Sequence, residues 1–205
     1  MSDKELSRKE REHLARRNEI LQAALKLFSQ KGYHLTSINE IAKEAQFSVG
    51  SLYGFFKNKE DLFLTLFNFE IEEIENYVNG KTSQVRGTKE KMNIMFEALF
   101  EYFEEHWEAF NLMAANRATF DLTLKENLGE IIHKRQIQFL KLTTELIQEG
   151  IKQGIFRPLR PEEMALALMG LVNGSIILWI QSGRSYSLKG RSRDILDIFY
   201  RGVEK

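Results

Sequence analysis

Apolar residues recur along nearly the whole chain at the three- and four-residue steps of an α-helix, and no stretch alternates long enough to make a convincing strand. Only two prolines interrupt this pattern, Pro158 and Pro161. The expected fold class is therefore all-α. A first helix over about 17–31 carries Ile20, Ala24, Leu27 and Phe28 as one apolar stripe, and Gly32 stops it. A second helix starts at Thr36 or Ser37, where Ser37 and Glu40 have capping-box spacing. It buries Ile38, Ile41, Ala42 and Ala45 and ends near Gln46. Ser48 caps a short third helix reaching about Phe55. Asn58 caps a fourth, which runs through Phe63, Phe67, Ile71, Ile74 and Val78. Residues 80–87 read as a loop. Further helices are expected at about 88–106, 107–115, 124–153, 161–182 and 191–203, with Gly154 and Pro158 ending one and Pro161 opening the next.

Composition narrows the function class. In 205 residues, 43% are hydrophobic and 28% charged, an ordinary globular balance. There is no cysteine, so neither disulfides nor thiolate metal sites can form. Residues 1–17 are charged throughout and lack the apolar stretch of a signal peptide. The most apolar run, Met164 to Ile180, is interrupted by Gly170, Asn173, Gly174 and Ser175 and is read as falling short of a membrane span. The expectation is a cytoplasmic protein with no membrane partner. The formal net charge is zero; residues 1–63 hold 11 basic and 9 acidic side chains, an asymmetry too weak to point to nucleic acid by itself.

The second and third helices are joined by the four-residue turn Gln46-Phe47-Ser48-Val49. This is a helix-turn-helix arrangement, in which the second helix of the pair enters the major groove. Ala42 and Ala45 allow close crossing, Phe47 can plug the turn, and Leu52 and Phe56 anchor the third helix while its other residues face outward.

The string Thr36-Ser37-Ile38-x-x-Ile41-Ala42-x-x-Ala45, followed by Phe47 to Tyr53, Phe56 and Asn58 to Leu62, resembles the DNA-binding domain of the tetracycline-repressor (TetR) family. The preceding Ile20-Leu21-x-Ala23-Ala24-x-x-Leu27-Phe28-x-x-x-Gly32-Tyr33 matches that family's first helix, so the resemblance covers about residues 16–67. It implies a DNA-binding domain over residues 1–60, including the N-terminal arm, and a helical ligand-binding and dimerisation domain over 61–205. It also implies a homodimeric regulator, most simply a repressor, that binds double-stranded pseudo-palindromic operator DNA and is released by a small effector. No cofactor, metal or catalytic residue is implied.

The resemblance carries DNA contacts over residue by residue. Thr36 or Ser37 meets a phosphate at the second helix's start. Val49, Gly50 and Ser51 lie where the family meets base edges, and Tyr53 matches its phosphate-binding or base-packing tyrosine. Lys59 matches a lysine that clamps the DNA backbone. Ser48 and Lys57 join the DNA-facing set, and Arg16 and Arg17 are within reach of backbone or minor groove. Phe55 departs from the pattern, standing where the family has His or Tyr. A phosphate hydrogen bond is then missing there, and Phe55 is left to touch a thymine methyl.

A dimer interface is expected on the last two helices. Gly170 and Gly174, four apart, permit close approach, with Met169, Asn173, Ile177 and Gln181 along the same helix. Ile195, Ile198, Phe199 and Gly202 line the final one. Packing of the two glycines within one subunit is the competing reading. For a ligand pocket the residues are Phe67, Phe96, Phe100, Phe103, Trp107, Met113, Arg117, Phe120, His133, Gln136 and Phe139. At helical spacing these also read as ordinary core. An apolar cavity with one arginine suits a carboxylate or acyl-thioester ligand.

Two rivals belong beside this reading. A helical-bundle metalloenzyme needs two Glu-x-x-His motifs, and the chain has one, Glu130 to His133. The acidic set Glu97, Glu101, Glu104 and Glu105 reads better as a solvated helix face. The other rival is a constitutive helix-turn-helix regulator or activator with no small-molecule ligand.

Overall fold

A computed structural model describes residues 7–107 and 122–204. Among them the elements are helical: α1 (Arg8–Lys31), α2 (Ile38–Glu44), α3 (Val49–Tyr53), α4 (Lys59–Thr82), α5 (Thr88–Glu105), α6 (Leu122–Lys152), α7 (Pro161–Gln181) and α8 (Ser192–Val203), with a 3-10 turn at Lys189–Arg191. The chain packs as two compact units, one ending at Ile71 and taking in the start of α6 up to Leu128, the other made of 72–107 and 129–204. All but the first residue of the expected 107–115 helix lies outside the described residues.

In the first unit, α1 starts at Arg8, about two and a half turns before the expected start near residue 17. It begins at Arg8 because Ser7 and Glu10 close a capping box, each side chain taking the other's backbone N–H. The segment 8–17, expected as a charged arm, is therefore helix. Its C-terminal half buries Ile20, Leu21, Ala24, Leu27 and Phe28. Gly32 ends it at φ 80°, a conformation that glycine adopts without steric cost. Phe63 of α4 meets the Phe28 ring edge-on at 5.4 Å and Tyr33 at 5.0 Å. Asn58 caps α4 by accepting from the Asp61 N–H at 2.7 Å. Asn127 donates to Glu60 at 3.0 Å and ties the start of α6 to the start of α4.

The second unit has its own core of Met92, Phe96, Phe100, Ile147, Phe156, Leu168, Val172, Trp179 and Leu196 among others. Helix α4 continues through Gly80 to Thr82, where the sequence pattern suggested a loop; the buried Thr82 hydroxyl donates to the Val78 carbonyl at 2.9 Å. Arg135 of α6 forks onto Glu75 of α4 at 2.9 and 3.0 Å. Trp179 Nε1 donates to the Tyr186 carbonyl at 2.8 Å, satisfying a buried indole and pinning the α7–α8 connection.

Two carboxylates of the acidic α5 set, Glu101 and Glu104, are partnered rather than simply solvated, while Glu105 is exposed. Glu104 accepts from the Leu188 and Lys189 N–H groups at 2.8 and 3.0 Å and so caps the 3-10 turn. Glu101 pairs with Lys189 and Lys81, and its hydrogen bond to Lys189 holds the carboxyl below its ordinary range.

Helix α7, at 21 residues, is long and apolar enough to cross a membrane by length and composition, contrary to the shorter run read from the sequence. The interrupting Gly and Asn residues do not break the helix. Its inner face, with Met164, Ala165, Leu168, Val172 and Trp179, belongs to the second unit's core. Its outer face keeps Leu166, Ile177 and Leu178 exposed.

Candidate nucleic-acid interface

Helices α2 and α3 and the turn between them form the helix-turn-helix expected from the sequence. Helix α2 begins with a second capping box. The Ser37 hydroxyl accepts from the Glu40 N–H at 3.2 Å, and Glu40 accepts from the Ser37 N–H at 2.9 Å. Glu40 also accepts from Lys31 at 2.6 Å. That ammonium, with the two Ser37 bonds, pulls the Glu40 carboxyl down to about 2. The turn passes through Gln46 at φ 61°, a left-handed conformation that few residues other than glycine adopt. The Phe47 N–H donates to the Ala42 carbonyl at 2.8 Å and closes the turn.

Helix α3 is only five residues long. Two buried anchors hold it: Leu52 at 0% exposure and Phe56 at 2%, just beyond its end. Each such side chain contributes about 1.5–3 kcal/mol when fully removed from water. The rest of the helix faces outward. Tyr53 is 53% exposed, and Ser48, Gly50 and Ser51 are exposed. Ser48 caps the helix by accepting from the Ser51 N–H at 3.0 Å, and the two hydroxyls share a 2.7 Å hydrogen bond. A Cβ on Gly50 would meet nothing closer than the Ser48 hydroxyl at 3.9 Å, so that backbone surface is open. Val49 is half-buried.

Several expected contacts stand differently. Thr36 is 1% exposed, and its hydroxyl donates to the Gly32 carbonyl at 2.8 Å. It locks the α1–α2 connection and has no free face for a phosphate, whereas Ser37 is exposed. Lys59 is half-buried; its ammonium donates to the carbonyls of Tyr33 at 2.8 Å and Thr36 at 2.9 Å. Lys57 and Arg16 are exposed, and Arg17, half-buried, holds its guanidinium 5.9 Å from the centre of the Phe56 ring. Phe55 is half-buried under a ring that sequence reasoning missed: His13 of α1 stacks on it with centroids 4.6 Å apart.

The expected pocket and interface residues also separate. Phe67 is core of the first unit. Phe96 and Phe100 are fully buried in the second, with Phe103, Trp107 and Phe139 packed against that core. His133 and Gln136 are exposed, while Met113, Arg117 and Phe120 lie outside the described residues. A groove of about 630 Å³ between α5 and α8 is of mixed character, lined by charged and polar residues such as Lys89, Asn93, Glu97 and Asp197 together with Ile94, Leu196 and Tyr200, and shares none of the expected pocket residues. On α7, Gly170, Asn173, Gly174, Ile177 and Gln181 are exposed and Met169 is half-buried. Among the described residues, a Cβ at Gly170, Gly174 or Gly202 would meet nothing within 4 Å. On α8, Ile198 is exposed and Ile195 half-buried, but Phe199 points inward at 4% exposure against Phe156 and Tyr200. Among the described residues no three His, Asp or Glu side chains form a metal-binding group, and Glu130 and His133 are both exposed on α6.

Comparison with known proteins agrees with this geometry. The chain is similar over 90% of its length, at 22% identity, to the fatty acid metabolism regulator protein of Bacillus subtilis, covering 94% of that protein. Among solved structures, the fatty acid degradation regulator FadR of Bacillus halodurans superposes with TM-score 0.74 at 21% identity, over 89% of this chain and 97% of that one. The transcriptional regulator FadR of Bacillus subtilis, solved in complex with stearoyl-CoA, gives TM-score 0.73 at 23% identity over 91% and 99%. Residues 20–66 match the family model for bacterial regulatory proteins of the tetR family. Residues 86–203 match the tetracyclin repressor-like C-terminal domain. With the short outward helix α3 held on a buried scaffold and both family models matched, the chain belongs to the tetR family of bacterial regulatory proteins.

Proposed function

We propose that this protein is a dimeric repressor that reads a pseudo-palindromic operator with α3 and releases it on binding an acyl-type ligand. The observation that carries the reading is α3 itself, with Gly50, Ser51 and Tyr53 outward and Leu52 inward. An open glycine backbone and a hydroxyl suit close approach to base edges, and Tyr53 and Ser37 suit the sugar-phosphate backbone. A five-residue helix reads few bases. Two copies about 34–36 Å apart would read two half-sites. The exposed stripe of α7, from Leu166 through Gly170, Gly174 and Ile177 to Gln181, supplies the surface for that pairing, and Ile198 of α8 extends it.

The ligand class rests on two supports. The second unit concentrates Met92, Met95, Phe96, Phe100, Phe103 and Trp107 within sixteen residues of chain. Two of the similar proteins carry names tied to fatty acids, and the similar structure of the transcriptional regulator FadR from Bacillus subtilis was solved with stearoyl-CoA. Helix α4 is continuous from Lys59 beside the reading unit to Thr82. A ligand that favours one tilt of this helix needs a coupling of only about 1–3 kcal/mol to change operator affinity five- to 150-fold.

Selection of bound duplexes from random sequence, with and without a long-chain acyl-CoA, tests the reading. The expected result is a two-half-site sequence that is lost when the acyl-CoA is added. No enriched sequence would refute the regulator, and an enriched sequence insensitive to acyl-CoA would leave a regulator of another ligand or of none.

A further inference from the structure

We infer that His13, on α1, contacts the DNA backbone beside the C-terminal end of α3, in the place where Phe55 offers no hydrogen bond. The inference rests on the proposed role of α3. His13 is exposed, and its ring stacks on Phe55 with centroids 4.6 Å apart and planes 27° apart. Phe55 is in turn braced by Phe47 at 6.5 Å and Phe56 at 6.3 Å. One turn further along α1, on the same face, the Arg17 guanidinium lies 5.9 Å from the centre of the Phe56 ring. Two consecutive aromatic rings thus carry two nitrogen-bearing side chains from a different helix.

The arrangement has a chemical consequence. From Phe47 to Phe56 the chain has no Lys, Arg, Asp or Glu, and Phe55 has no polar side-chain atom. A phosphate running past the end of α3 would find no side-chain cation on that segment before Lys57, which is exposed two residues beyond Phe55. The stack places an imidazole there instead. Among the described residues no hydrogen bond to either of its nitrogens is present, so a ring N–H is available to a phosphate oxygen. Stacking also fixes the plane of the ring before DNA arrives, which lowers the ordering cost of the contact. The neighbouring charges on α1, Lys9, Arg16 and Arg17 against Glu10, are on balance positive and favour the same anion.

The test separates a hydrogen-bonding role from a bracing one. His13→Phe keeps a ring on Phe55 and removes the donor; His13→Ala removes both; His13→Gln restores an N–H. Binding is measured to an arbitrary 30-base-pair duplex at low salt and to a duplex recovered by selection, with melting temperatures recorded alongside. His13→Phe should weaken binding to both duplexes by a similar factor, about 3- to 10-fold, as loss of one backbone hydrogen bond implies. Its melting temperature should not move, and His13→Gln should recover part of the affinity. Wild-type binding by His13→Phe, with weakening only in His13→Ala, would show that the ring is merely a brace and overturn the inference. Weakening confined to the selected duplex would assign base reading and overturn it too. Failure of the wild-type protein to bind either duplex is a different result, and refutes the regulator reading itself.

Discussion

The Lys59 ammonium donates to the Tyr33 carbonyl at 2.8 Å and lies 4.3 Å from the centre of the same residue's ring. A second bond, to the Thr36 carbonyl at 2.9 Å, completes a bracket around His34 and Leu35. One side chain at the start of α4 thereby fixes the whole α1–α2 connection. Burial pushes this ammonium below its ordinary value, the mark of a charge held partly out of water. Lys59→Met keeps the aliphatic stem but takes the ammonium from two part-buried carbonyls, of which that of Tyr33 keeps the long 3.4 Å bond from the Thr36 N–H, and the loss costs about 1–3 kcal/mol. The exposed neighbour Lys57 has no such role, and Lys57→Ala should change stability by less than about 0.5 kcal/mol. Urea unfolding of both variants checks the contrast; equal midpoints would show that Lys59 does not hold the connection.

Glu40 gives the first unit a defined sensitivity to acid. Its carboxyl is pulled from an ordinary 4.5 to about 2 by Lys31 and by the Ser37 backbone and hydroxyl. In the unfolded chain the group takes up its proton near the ordinary value, and in the folded chain only near the lower one. Its stabilising contribution is thus complete above about pH 4.5 and is lost as pH falls toward about 2. Glu40→Gln should therefore show a shallower fall of melting temperature between those limits than the wild type. Parallel curves would mean that the capping box is equally protonated in both states.

The sequence carried the helix-turn-helix to within a residue or two because every signal there is local. Ser37 with Glu40 starts α2, Ser48 starts α3, and Asn58 starts α4. The start of α1 was equally local: Ser7 and Glu10 have the same spacing as Ser37 and Glu40, but an exposed helix of charged residues has no apolar stripe to mark it. What sequence could not supply was the partner of each polar group. Thr36 and Lys59 look available in a string, and only the fold shows Thr36 bonded to the Gly32 carbonyl and Lys59 to carbonyls 23 and 26 residues away. The His13–Phe55 stack joins positions 42 residues apart and leaves no periodic trace. Likewise Phe199 lies on a helix with an outer face, yet its own side chain points to the core.

Gly150 marks a close approach that periodicity passes over. A Cβ built there falls 2.3 Å from one carbon of the Phe156 ring and 2.4 Å from the next. Phe156 cannot retreat, since it is fully buried and stacked on Tyr200 at 6.1 Å. The Ile155 and Phe156 N–H groups both donate to the Gly150 carbonyl, so the chain folds back over this residue as α6 ends. Gly150→Ala should destabilise the protein by about 1–3 kcal/mol through overpacking, despite alanine's better helix propensity. Thermal unfolding measures it, and an unchanged or raised midpoint would mean that the ring shifts freely.

The outer face of α7 separates folding from assembly. Gly174 sits in the middle of that face, exposed, with no described atom within 4 Å of where a Cβ would go. Gly174 is exposed, a Cβ there meets no described atom within 4 Å, and glutamate raises helix propensity, so Gly174→Glu should fold with an unchanged or higher melting temperature. In a twofold dimer the same residue from each copy would lie near the axis, and two carboxylates would be pressed together among Ile177 and Leu178 without water. The expected product is a folded monomer, seen by sedimentation. Each copy would then bind its half-site alone, and operator affinity should fall by about 100-fold or more. A variant that stays dimeric and binds the operator normally would place the pairing surface elsewhere. A variant that loses the dimer but keeps full affinity would break the link between pairing and operator reading on which the two-half-site geometry depends.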